Sequence, residues 1–399
     1  MLLLHISDIH FRAPDCTTPP LDPERPFRTR LLQDARDRIA TLGPVEAILV
    51  TGDVAYKGDP AEYDAAFRWL EELAGACACP LERVYVVPGN HDVDRNITRE
   101  PAVRNAQYAI QAAETHHRER VLQDRFSDTD ASHALLRPLT AYNDFAKQFN
   151  CQVYPPEKLY WKQDLALDHG VKLRIHGLTS TLLSGADGND DTRCNLYLSP
   201  LQTVLDPVEN VVNLVMCHHP PDWFMDYDEV DEIICNRAAI HLFGHNHRQR
   251  VTDPSDYIRF SAGAVNPDRH ESGWEPGYNL IDVKIADDGM DRHLEIEAHV
   301  LRWQSSPDQF VPKQTRKGEE VFRHRIPIPD RFYTPQAVGD AEVPAITADS
   351  GPMHDGPIHD GNDGFEVEVA MSNESTRNLV FRFWNLMNWR SGGVAAGGS

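Results

Sequence analysis

Five short clusters of oxygen- and nitrogen-bearing side chains carry the chemistry legible in this chain: Asp8-Ile9-His10, Gly52-Asp53, Gly89-Asn90-His91-Asp92, His218-His219-Pro220 and Gly244-His245-Asn246-His247. Carboxylate, imidazole and amide donors without thiolates suit manganese, iron or zinc rather than copper or an iron–sulfur centre. Asp8 and His10 point the same way if the chain leaving a strand stays extended, so one cation can take both. Gly52 allows a sharp turn that presents Asp53, whose two oxygens can span two cations about 3.5 to 4 Å apart, the spacing of two-metal phosphoryl-transfer sites. Taken alone, His10 reads equally well as a satisfied loop histidine, and a lone Gly-Asp pair is more often a turn. Pro88-Gly89-Asn90-His91-Asp92 is more telling, because amide, imidazole and carboxylate follow one another in a loop with nothing apolar to bury. Cys217, turned away from His218 by strand alternation, reads as a core residue.

Each cluster follows a short aliphatic run: residues 2–6, 47–50, 84–87, 211–216 and 239–243. Such runs predict buried strands, with helical stretches at 27–42 and 61–73 between them, hence an α/β fold. In open α/β sheets the loops at the carboxyl ends of the strands gather at one edge, where ligands bind. Five such loops can converge on one site. His5 and His241 lie inside the runs and read as core or supporting residues.

In order, D-x-H, G-D, G-N-H-D, H-x-P and G-H-x-H resemble the signature of the calcineurin-like metallophosphoesterase superfamily, over residues 1 to about 305. The resemblance implies a four-layer α/β/β/α sandwich of two mixed sheets holding two divalent metal ions. It implies Asp8, His10, Asp53 and His247 as ligands of the first metal, and Asp53, Asn90, His218 and His245 as ligands of the second. His91 matches the general acid or transition-state stabiliser, and Asp92 the carboxylate that orients it. The implied reaction is phosphoester hydrolysis by a metal-bridging hydroxide. Arg12, Arg95 and Arg99, close after the first and third motifs, are candidates for clamping phosphate, each equally readable as a solvated arginine. Asp92, where phosphoprotein phosphatases carry Glu, looks more like the bacterial phosphodiesterase and nuclease-related branch. That favours a phosphodiester of nucleotide type, cyclic nucleotide or oligonucleotide, with DNA or RNA nuclease activity as the nearest rival.

Asp and Glu outnumber Lys and Arg by 61 to 39, a formal charge of −22, which disfavours sequence-independent grip on duplex nucleic acid. A locally basic cap, with Arg118, Arg120 and Arg125 on one helix, leaves room for single strands. No apolar run approaches the roughly 18 to 20 residues that span a bilayer, and the opening run is too short for a secretory signal. With seven scattered cysteines and no paired C-x-x-C, a soluble, reduced, cytoplasmic protein is expected.

Residues 93–210 read as a cap beside the site, helical near 102–124 and 132–149, with a strand at 171–176. Runs at 257–261, 278–285 and 293–303 would complete a second sheet, closing a domain over residues 1–330. Residues 334–364, rich in Pro, Gly, Asp and Ala, predict a disordered linker. In residues 365–399, the stretch 373–390 presents a wide apolar face if helical. Its partner is the chain's own core, a second copy or another protein, and in that last case docking there would set the role of the catalytic subunit.

Overall fold

The computed structural model describes residues 1–154, 158–266, 275–287 and 292–328. The linker expected at 334–364 and the segment at 365–399, with its apolar face at 373–390, lie outside the described residues.

Strands β1 (Leu2–Ile6), β2 (Val45–Val50) and β3 (Val84–Val86) are parallel neighbours. Their side chains are buried on both faces, with Leu3, Leu4, Ile48 and Leu49 fully inaccessible. Each contributes about 1.5 to 3 kcal/mol of burial, which is why the runs read as continuous aliphatic stretches. Between them lie α1 (Arg25–Leu42) and α2 (Pro60–Ala76). Asp59 caps α2 in a capping box with Glu62. The fully buried Glu62 carboxylate also accepts the backbone N–H groups of Tyr56 at 3.0 Å and Lys57 at 2.9 Å, tying the loop after β2 to the helix start.

After β3 come α3 (Pro101–Gln111), α4 (Thr115–Ser127), α5 (Thr129–Leu136) and α6 (Thr140–Ala146), then β4 (Tyr160–Ala166) and β5 (Lys172–Leu178). The expected cap over 93–210 is therefore not one unit. Residues 101–146 are helical, but β4 and β5 are strands of the second sheet, which runs β4-β5-β6-β7-β9-β8. Nor does the helical part stand off the body, since Phe145 stacks on Tyr63 and Phe149 lies 5.8 Å from Phe67, both on α2.

The second sheet continues with β6 (Val211–Cys217), α7 (Tyr227–Arg237), β7 (Ile240–Phe243), β8 (Arg250–Thr252) and β9 (Ile258–Ser261). Strands β5, β6, β7 and β9 are parallel, with antiparallel β4 and β8 at the edges. Of the three runs expected to complete this sheet, only β9 does so. β10 (Gly277–Asp287) pairs antiparallel with β1, and β11 (Arg292–Ser305), β12 (Asp308–Pro312) and β13 (Phe322–Ile328) extend the first sheet from there. One core serves both sheets, and Trp161 of β4 donates Nε1–H across it to the carbonyl of Val86 at 3.1 Å. Among the described residues no helix is long and apolar enough to cross a membrane.

Candidate metal centre

The carboxyl ends of β1, β2, β3, β6 and β7 meet, and the structure brings Asp8, His10, Asp53, Asn90, His218, His245 and His247 into one cluster. Close approach there depends on glycine. A Cβ on Gly52 would come within 2.6 Å of His218 Nδ1, and one on Gly89 within 2.1 Å of Asp53 Oδ1. Asp8, His10, Asp53, His245 and His247 all have φ between 51° and 68°, the left-handed region that costs a non-glycine residue about 1 to 2 kcal/mol. Asp8 and His10 thus share a side not because the strand end stays extended, as expected, but because both residues are left-handed.

Asp53 sits at the centre. Its Oδ1 accepts the backbone N–H of His91 at 2.7 Å, while Oδ2 alone faces His10 Nε2 at 3.2 Å and His218 Nε2 at 3.4 Å. Bridging through both oxygens was expected; the backbone contact leaves the shared position to Oδ2. Carbonyls fix the ring tautomers, since His218 Nδ1–H donates to Thr51 O at 2.7 Å and His10 Nδ1–H to Asn266 O at 3.3 Å. Each neutral ring therefore turns the Nε2 lone pair toward an acceptor oxygen. Beside them, Asn90 Oδ1 lies 3.0 Å from His218 Nε2 and 2.9 Å from His245 Nδ1, and His247 Nε2 lies 3.1 Å from Asp8 Oδ1.

Lone pairs aimed at lone pairs call for a positive charge between them. Burial opposes a charge on His218, yet the pull of Asp53 and Asp8 outweighs it and raises the imidazole to about 9. Burial likewise works to raise Asp8 and Asp53, but the facing imidazoles hold both carboxyls below their usual range. A divalent cation among these groups would supply the charge they call for. Overlapping groups that could hold a metal are Asp8-His10-His247, His10-Asp53-His91, Asp8-Asp53-His218 and His218-His219-His245. The donor set fits divalent cations.

His91 lies alongside, its Nδ1–H donating to the Tyr56 carbonyl at 2.9 Å and its ring stacked on Tyr56 at 5.0 Å. Asp92 was expected to orient His91, but Tyr56 O occupies that position. The Asp92 carboxylate instead accepts the N–H groups of Ala55 at 2.9 Å and Gly89 at 2.9 Å, and the Tyr63 hydroxyl at 3.0 Å, bracing the loops of β2 and β3. Burial and then Asp53 raise Asp92 to about 6.

Of the three arginines, Arg12 lies 3.7 Å over the Tyr56 ring, Arg95 pairs with Asp190 at 2.5 Å, and Arg99 lies against Gly188 instead of the cluster. Cys217 is fully buried and its thiol pushed up to about 12 by burial. Sequence reasoning missed Tyr56, Thr51 and Asn266, which act through backbone carbonyls that carry no residue-type signal. It also missed Ser180 and Asp191, which hold His219 at 2.9 and 3.4 Å, and Trp223, whose ring meets His245 edge-on at 4.0 Å. Asn266 alone had a usable signal, a polar residue closing the small-residue run after β9.

A family model described as calcineurin-like phosphoesterase matches residues 1–249, a span that contains all seven clustered donors. The metallophosphoesterase-like protein YydB of Bacillus subtilis is 23% identical over 296 residues, covering 71% of this chain and 56% of that protein. The chain thus spans little more than half the length of this curated relative. Among solved structures, a conserved phosphoesterase-type protein of Streptococcus pneumoniae is 12% identical, covering 82% of this chain and 97% of its own, with a TM-score of 0.30. Vps29 of Chaetomium thermophilum is 14% identical, with coverage of 82% and 97% and a TM-score of 0.32.

Proposed function

This chain belongs to the calcineurin-like phosphoesterase family, and on that premise we propose that it is a metal-dependent phosphodiesterase acting on a nucleotide-type diester. The observation that carries the reading is Asp53 Oδ2, a single buried oxygen faced by His10 Nε2 and His218 Nε2 from two sides. Asp8, His10, Asp53 and His247 would hold one divalent cation, and Asp53, Asn90, His218 and His245 a second. When bound, such a pair acidifies water and draws charge off the phosphoryl oxygens.

The chain's own residues do the rest. His91 keeps Nδ1–H committed to the Tyr56 carbonyl, so Nε2 is the end that faces the departing ester oxygen; it gives up a proton only from the imidazolium form, which burial disfavours and the charge of Asp53 favours. Asp92 positions His91 indirectly, by holding Ala55, the neighbour of Tyr56, and Gly89, two residues before His91. Support for a diester comes from Asp92 at the place where phosphoprotein phosphatases carry Glu.

The test is a substrate panel on protein loaded with manganese, iron or zinc: bis-p-nitrophenyl phosphate, cyclic nucleotides and labelled oligonucleotides, with p-nitrophenyl phosphate as the monoester comparator. Faster diester turnover is expected. A chain that hydrolyses the monoester and spares every diester would sink the reading.

A further inference from the structure

A cavity of about 270 Å³ opens beside His91, lined by Tyr56, Lys57, Asp94, Arg95 and Asn96 as well as His91 itself. Through His91 it borders the metal cluster. Its volume falls just under the roughly 300 to 1,000 Å³ of pockets that enclose whole small molecules. It accommodates a phosphate with part of a sugar, not a complete nucleotide.

Its charge runs against that of the chain. The sequence carries a formal −22, yet Lys57 and Arg95 both line this cavity, and Arg12 lies over the Tyr56 ring that borders it. The Arg12 guanidinium covers Tyr56 at 3.7 Å and Lys57 Nζ lies 5.9 Å from the same ring, whose other face is stacked on His91. With both faces taken, Tyr56 offers no platform for a base, and recognition falls to charge. Asp94, whose Oδ1 accepts the backbone N–H of Asn96 at 2.8 Å, keeps its negative charge and offsets part of this, leaving Lys57 and Arg95 in excess on the lining. Arg95 engages Asp190 through Nη1 alone, and Asp190 is 86% exposed, so that pair is readily given up for a phosphate.

We propose that this cavity is a subsite for a second phosphate, making the preferred substrate a diester that carries a further phosphate on its leaving side. A phosphorylated oligonucleotide meets that description and a cyclic nucleotide does not. The proposal rests on the diesterase reading and narrows its substrate class.

The experiment compares kcat/KM for the dinucleotides TpT, pTpT and TpTp with bis-p-nitrophenyl phosphate as the simple diester. One phosphorylated dinucleotide should exceed TpT by about ten-fold, the worth of one charge-assisted contact. Lys57→Ala with Arg95→Ala should shrink that ratio to within about two-fold whatever the absolute rates, and Lys57→Arg should keep it. Hydrolysis of TpT and the simple diester with no preference for either phosphorylated form overturns the subsite and leaves the diesterase reading standing. No hydrolysis of any diester with any of the three metals overturns both.

Discussion

Inside strands β1 and β7, the buried His5 and His241 face partners that complete a neutral ring; just past the strand ends, His10 and His218 face oxygens that a neutral ring can only repel. His5 lies 3.0 Å from Thr51 Oγ1 and 3.1 Å from the Asn279 amide, and His241 Nε2–H donates to Ala238 O at 2.8 Å while Nδ1 accepts from Arg259 at 3.3 Å. Burial pushes His5 down to about 3 and His176 and His241 to about 4. His218, equally buried, goes up to about 9 through Asp53 and Asp8. Burial of a histidine therefore says little about its use. The direction in which its free lone pair points says much more.

The sharpest break comes from Asp53→Ala, which removes the oxygen shared by both halves of the cluster. Bound metal, measured by elemental analysis, should fall below one ion per chain. Turnover should drop by at least about 10³-fold, given that even outer partners of a metal ligand are worth 10 to 100-fold. Next is His91→Asn, expected to cost about 10² to 10⁴-fold in kcat with metal content unchanged. Equal loss of metal would move His91 into the ligand set.

The strand interior is tested by pH. His241 titrates near 6.5 when unfolded and near 4 when folded, so on acidification the unfolded chain takes up the proton first. Its contribution is whole above pH 6.5 and is lost as pH falls toward 4, on the order of 3 kcal/mol for a shift of that size. His241→Gln should flatten urea-unfolding stability across that window. An unchanged slope would mean that the ring is not held neutral.

The smallest effect is a change of sign. At Asp8, with φ 54°, the Gly variant should be more stable than the Ala variant by about 1 kcal/mol. At His241, within a strand, Gly should be less stable than Ala by about 0.5 to 1 kcal/mol. Equal values at Asp8 would remove the argument that the strand-end backbone is strained.

How much of this was legible in the sequence followed how locally it was encoded. Doubly buried parallel strands such as Leu2–Ile6 and Val211–Cys217 announce themselves as aliphatic runs, and the polar residues beyond them marked the cluster. β4, Tyr-Trp-Lys-Gln-Asp-Leu-Ala, is a half-exposed edge strand whose polar residues hid it inside an apparent cap. β10 and β11 were readable as strands but not as members of the first sheet, because pairing with β1 across some 280 residues leaves no local trace. The role of Asp92 in orienting His91 was carried over from the family resemblance, whereas a three-residue turn sends its carboxylate back to Gly89 and Ala55.

The donors also straddle a seam: Asp8, His10, Asp53 and Asn90 follow strands of one sheet, and His218, His245 and His247 follow strands of the other. An occupant of the cluster is consequently a rivet between the sheets, and its affinity adds to the cohesion of the fold. A cation at a hundred times its dissociation constant would contribute about 2.7 kcal/mol. Melting temperature then becomes a gauge of occupancy, readable with no substrate in hand.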